Sequence, residues 1–213
     1  MTLGLIIGVG VIFLVIVSYA SPGSIEPLSP TSTAPSGTKA VVELLNRLGS
    51  PVSIINGGVP SGNGFALVLS DSSRWSPMGK LGGGARSRLA AWVRSGGHLV
   101  VADPLSALAK QDISTGNSAN SAGAGSIVAG GCSASPAGSD RYMQSTYSAL
   151  DKAPALEPTG GKSTYYLLRS PPSGFGCFGS GNEWFVVGHQ EGRGSVIAIG
   201  TPRIFENENL GLG

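Results

Sequence analysis

The feature that most constrains this chain is a strand–helix–strand pattern between Ala66 and Pro104. A first apolar run, Ala66-Leu67-Val68-Leu69-Ser70-Asp71, is followed by a helical pattern ending near Ser95. A second run follows: His98-Leu99-Val100-Val101-Ala102-Asp103-Pro104. Both runs are nearly continuous in apolar residues rather than alternating, the pattern of strands covered on both faces in a helix-flanked parallel sheet. Between them, Ala85, Leu89, Trp92 and Val93 form one apolar stripe at helical spacing. Gly96-Gly97 supplies the helix stop, and Gly82-Gly83-Gly84 places the predicted start near Ala85. The unit is expected to be a right-handed βαβ crossover.

The N-terminus is a different material. Residues 1–25 contain no charged side chain, and Leu3 to Val17 is almost wholly aliphatic. Extended through Tyr19 and Ala20, the run approaches the ~20 residues of a membrane-spanning helix. A cleaved secretory leader usually opens on positive charge, and no Lys or Arg precedes Lys39 here. A core helix in this position has little to pack against. Residues 1–20 are therefore expected to be a single uncleaved transmembrane anchor, with Tyr19 at the interface. Neither flank is basic, so charge bias does not orient it. Ser21 to Ser36 reads as an extended Pro/Ser/Thr linker carrying Pro22, Pro27, Pro30 and Pro35. That leaves 37–213 as one α/β domain.

Within that domain Val41, Leu44, Leu45 and Leu48 predict a helix over 38–48, with Ser36 or Thr38 as N-cap and Gly49 as its stop. Pro51 to Ile55 reads as a strand. From about 110 to 160 the pattern weakens into an irregular insert, and Ser114 to Ser139, rich in Gly, Ser and Ala, reads as loop. Tyr165 to Leu168 reads as a short strand. Trp184 to Gly188 and Ser195 to Ile199 bracket Glu191-Gly192-Arg193-Gly194 as a hairpin. The ending at Gly213 shows no helix to close the sheet and is expected to be a truncated C-terminus.

Three stretches carry a family resemblance. Ser29-Pro30-Thr31-Ser32-Thr33-Ala34-Pro35-Ser36-Gly37-Thr38-Lys39-Ala40 resembles the opening of the actinobacterial domain of unknown function 4350. Trp92-Val93-Arg94-Ser95-Gly96-Gly97-His98-Leu99-Val100-Val101 is similar to its helix–strand junction, and Gly192 to Gly200 to its last strand. The resemblance implies a membrane-tethered domain with a glutamine-amidotransferase-like fold, often followed by a second membrane helix. It also implies the company of an ATPase and other membrane proteins. Together with the element order, it predicts an open, mostly parallel sheet flanked by helices, amidotransferase-like or flavodoxin-like, with an antiparallel hairpin at its edge.

The candidate sites are sparse. A net charge of +2 with only 12% charged residues excludes the basic surface of a nucleic-acid binder. Two cysteines and two histidines are too few for a structural zinc cage, and no metal or cofactor is expected. An amidotransferase nucleophile would follow Leu99–Ala102, where the chain has Asp103-Pro104 and no cysteine. Asp71 and Asp103 end the two central strands, so parallel pairing would bring both carboxylates to the edge where open α/β sheets bind ligands. The functional reading is a cation or polar-ligand site; the plainer one is turn capping. Gly174-Phe175-Gly176-Cys177-Phe178-Gly179 fits G-x-G-x-x-G but follows two prolines and opens no helix. Gly161-Lys162-Ser163 lacks the earlier P-loop glycine, since Leu156 stands there. Arg74, Lys80, Arg86, Arg88 and Arg94 form a basic run, which reads as a solvated helix face before it reads as a headgroup contact.

Cys132 and Cys177 each lie in a Gly/Ser/Pro-rich segment, which suits a disulfide better than a metal site. The resembling family tends to carry a cysteine in each region, and the alternative is two free thiols. A disulfide would put the domain in an oxidising, extracytoplasmic space. The resulting expectation is a membrane-anchored, non-catalytic binding or scaffolding module. The rival is an envelope hydrolase or amidotransferase-like enzyme, marked by a Cys or Ser on a strand–helix elbow near His98 or His189.

Overall fold

A computed structural model describes residues 27–50, 52–55, 58–71, 81–109, 113–118, 131–133, 141–153, 165–169 and 173–210. Chain order is α1 (Lys39–Arg47), β1 (Phe65–Val68), α2 (Gly83–Arg94), β2 (His98–Val101), β3 (Ile113–Ser118) and α3 (Arg141–Asp151). There follow β4 (Tyr166–Leu168), β5 (Phe175–Ser180), β6 (Glu183–Glu191), β7 (Gly194–Ile199), a 3-10 turn (Pro202–Phe205) and α4 (Asn207–Leu210). The expected anchor at 1–20 lies outside the described residues. Among those described, no helix is long and apolar enough to cross a membrane.

The strands form one sheet in the order β1-β2-β7-β6-β4-β3, with β5 also paired to β6. β1, β2 and β7 are mutually parallel, with Phe65 opposite His98 and His98 opposite Ser195. The remaining pairings are antiparallel. The sheet is therefore mixed rather than mostly parallel. The β6–β7 hairpin, expected at an edge, sits at the centre, because β7 pairs with β2 as well as with β6. Its apolar residues explain the position: all six residues of β7 are buried, and only an interior strand buries both faces.

Successive residues of β2 and β7 divide between two cores. Leu99, Val101, Val196 and Ala198 pack with Leu89, Trp92 and Val93 of α2. Ile197, Ile199 and Val100 pack with Met143, Tyr147 and Leu150 of α3. Burying side chains of this size contributes about 1.5–3 kcal/mol each. α2 starts at Gly83, earlier than Ala85, with extended Gly82 as its N-cap. Glycine is tolerated there because the first-turn N–H groups have no intrahelical partner to lose. Gly96, at φ +123°, terminates the helix in a conformation side chains rarely adopt.

Several expectations need correction. β1 is not covered on both faces: Phe65 and Leu67 are exposed, as befits a strand at the sheet edge. Residues 52–55 form no strand; apolar content without a pairing partner does not make one. The insert contains a strand, β3, and a helix, α3, whose Met143, Tyr147 and Leu150 recur at helical spacing. α1 itself forms as expected, with Val41 its buried residue.

The second half of the linker is not extended either. Leu28 N donates to Ser36 O and Thr38 Oγ1 to Leu28 O. The C-terminal segment then clasps it. Asn207 Nδ2 donates to Ser32 O and Ala34 O, Asn207 Oδ1 accepts from Ala40 N, and Asn207 N donates to Gly37 O. The chain after β7 is thus ordered by α4 and its 3-10 turn rather than lacking helix.

Candidate functional site

Parallel pairing of β1 and β2 carries both chains to the same edge, and Ala102 N extends the ladder by donating to Val68 O. Beyond it Asp71 and Asp103 meet: Asp71 N donates to Asp103 Oδ2 at 2.8 Å. Both residues are buried. Asp103 Oδ1 accepts from Leu105 N at 2.9 Å, closing the Asp-Pro turn.

The Asp71 carboxylate is the centre of the cluster. Arg86, in the first turn of α2, donates Nε to both oxygens at 3.0 and 2.8 Å. Leu81 N donates to Oδ1 at 3.0 Å and Ser106 Oγ to Oδ2 at 2.7 Å. The hydrogen bond to Asp71 holds the Arg86 guanidinium above its already high ordinary range, against the opposing pull of desolvation, so Arg86 stays charged. A buried carboxylate needs this many donors, because an unpaired charge out of water is costly. The arrangement ties the loop after β1, the start of α2 and the loop after β2 into one knot. No group of three or more His, Cys, Asp or Glu side chains suited to a metal occurs among the described residues.

The opposite edge of the same strands holds a second polar pair. His98 Nδ1 and Ser195 Oγ, opposite each other on β2 and β7, are 2.8 Å apart. Ser195 is 2% and His98 6% exposed, and both lie on strands rather than on a strand–helix elbow. The His98 ring packs against Tyr142 at 4.1 Å and Phe65 at 5.2 Å between centroids. His189, the other candidate base, is a buried residue of β6 opposite Val196.

Cys132 and Cys177 form a disulfide, so neither is a free nucleophile. The bond joins the segment at 131–133 to β5, where Ser133 N donates to Gly176 O and Ser133 Oγ accepts from Gly176 N. Cys132 N also donates to Asp151 Oδ1 at the end of α3. The G-x-G-x-x-G match is β5 itself, a strand and no phosphate cradle. Gly161-Lys162-Ser163, Arg74 and Lys80 lie outside the described residues.

The sequence brought Asp71 and Asp103 to one place but missed Arg86 and Ser106. The basic run predicts a solvated helix face for Arg86, whereas its guanidinium is paired with the buried Asp71 carboxylate. The signal available was the lack of any other acid near the basic run, which leaves Asp71 as its partner. The His98–Ser195 pair had no sequence signal, since it depends on β7 lying beside β2.

These features define a mixed α/β domain with helices on both faces of the sheet, a closed acidic knot at one edge and a disulfide on the α3 side. The chain belongs to the family described as Domain of unknown function (DUF4350), which matches residues 30–213. No curated protein and no solved structure matches it significantly.

Proposed function

We propose that this chain is a membrane-anchored, non-catalytic domain facing an oxidising extracytoplasmic space, where it binds or scaffolds other membrane proteins. The observation that carries the reading is the acidic knot. At the edge where open α/β sheets usually meet ligands, the Asp71 and Asp103 acceptors already serve the protein's own donors. Both aspartates then shape that edge instead of holding a cation. The disulfide supports the compartment, and the uncharged run at 1–25 supports the tether. The actinobacterial setting and amidotransferase-like ancestry belong to the same proposal, with Asp103-Pro104 standing where such an enzyme carries its cysteine.

The His98–Ser195 contact favours the second reading, a serine hydrolase. Its weakness is access, because a nucleophile 2% exposed on a strand has no room for an acyl group. Treatment of the membrane-bound full chain with a fluorophosphonate separates the two. The expected result is no label on the Ser195 peptide. Stoichiometric labelling there, lost in His98→Ala, overturns the non-catalytic reading. Maleimide–polyethylene glycol applied to denatured protein from intact cells checks the compartment: the expected mass shift occurs only after reduction.

A further inference from the structure

We infer that the outward face of α1, carrying Leu44 and Leu48 and continuing to Ile54 and Ile55, rests on the surface of a bilayer bearing anionic headgroups. The inference rests on the membrane-tether reading above and adds which surface of the domain the bilayer touches.

Four large aliphatic side chains within one short stretch are left in water. Leu44 is 48%, Leu48 70%, and Ile54 and Ile55 each 47% exposed. Leu44 and Leu48 are one turn apart and share a helix face, while Val52 N, donating to Asn46 Oδ1, keeps the following segment at the end of α1. Single exposed leucines are ordinary, but a cluster marks a contact surface.

The clasp supplies the reason for choosing lipid. From Leu28 onward the chain is bonded to the domain through Ser32, Ala34, Gly37 and Ala40. Only Ser21 to Pro27 separates that clasp from the apolar run ending at Ala20. Seven residues span at most ~25 Å even when fully extended. α1 starts immediately after the clasp and, with nine residues, is only about 14 Å long. An anchored domain therefore carries this helix within reach of the headgroups wherever it turns. Charge agrees with the placement. Glu43 is paired with Lys39 at 3.6 Å, and Arg47 stands in the last turn beside Leu44 and Leu48. Apolar residues flanked by an arginine suit an anionic interface.

The test uses the full chain reconstituted in phosphatidylcholine–phosphatidylglycerol vesicles, with an environment-sensitive nitrobenzoxadiazole dye on Leu48→Cys; the native cysteines are disulfide-bonded and do not label. Gln144→Cys, on an exposed position of α3, is the reference. The expected result is a blue-shifted dye at position 48, quenched by shallow nitroxide lipids and several-fold less by iodide than the dye at 144. If the chain resists carbonate extraction but the dye at 48 remains as open to iodide as that at 144, the inference is overturned and the tether reading stands. A blue shift that follows protein density and ignores nitroxide lipid indicates a protein partner and also overturns it. Extraction of the chain by carbonate removes the tether reading and the inference together.

Discussion

The two faces of this sheet solve the same problem by different means. On the α2 face, Leu89, Trp92 and Val93 pack on Leu99, Val101, Val196 and Ala198. The helix is pinned at its start by Asp71–Arg86 and at its end by glycine. On the α3 face, Met143 and Tyr147 pack on Phe175, Phe185 and Ile199, and a covalent bond ties the adjoining loop to β5. The difference follows from the chain. α2 runs into β2 after only three residues, and its start is tied back to the loop after β1 by Asp71, so geometry within one βαβ unit holds it. α3 sits in a long insert poor in large apolar residues, where a cross-link offsets chain entropy that packing does not.

Removing the cross-link gives the largest expected effect. Cys132→Ser/Cys177→Ser opens a loop with a sequence separation of 45, which destabilises by about 4 kcal/mol in the chain-entropy account. Denaturant unfolding measures it. Hydrogen exchange sharpens the contrast: amides of α3 and β5 lose protection first, while those of α2 and β2 change little. Equal loss on both faces would show that the two cores are one cooperative unit. Next, Met143→Ala, at a fully buried position, costs about 3 kcal/mol through lost contacts and a cavity. The loss is smaller in the protein already lacking the disulfide if α3 is loosened there, and a double-mutant cycle reads that difference.

Asp71→Ala tests the other face. Leu81 N–H and Ser106 O–H lose their acceptor, so the expected cost is about 2 kcal/mol. A chemical-shift map should confine the change to the loops after β1 and β2. If Asp71→Ala instead leaves stability unchanged, the knot is not what holds α2. The smallest effect concerns neither face. Burial lifts the Glu206 carboxyl above its ordinary range, opposed by Arg203 and reinforced by Glu208. Its folded form therefore binds a proton more tightly than its unfolded form. Stability contributed by the neutral carboxyl is present at low pH and is lost as pH rises from the ordinary carboxylate range through the raised value. Glu206→Gln should remove that slope and unfold slightly later than the parent at neutral pH.

Legibility in the sequence divides along the same line. The βαβ unit could be read because its signals are local: apolar runs, a helical stripe and Gly96-Gly97. Those signals carried Asp71 and Asp103 to one edge. What they did not carry was neighbourhood between distant segments. The pairing of β7 with β2 set the hairpin in the centre and brought Ser195 to His98, and a hairpin pattern cannot announce what lies on its other side. α3 was legible in principle from Met143, Tyr147 and Leu150, but the glycine and serine before it obscured the period. The α1 stripe correctly announces the helix, but periodicity reports a face and not what covers it: only Val41 is buried.

The Asn207 clasp has a mechanical consequence. Traction on the chain ahead of Leu28 does not reach the sheet through a slack leader. It arrives first at the Leu28 bonds to Ser36 O and Thr38 Oγ1, and then at the bonds from Asn207 to Ser32, Ala34, Gly37 and Ala40 and from Glu208 N to Pro35 O. The latter join the incoming strap to the segment leaving β7, the strand at the middle of the sheet. Load on the leader is therefore shared with the segment leaving the central strand before it passes along α1 towards β1.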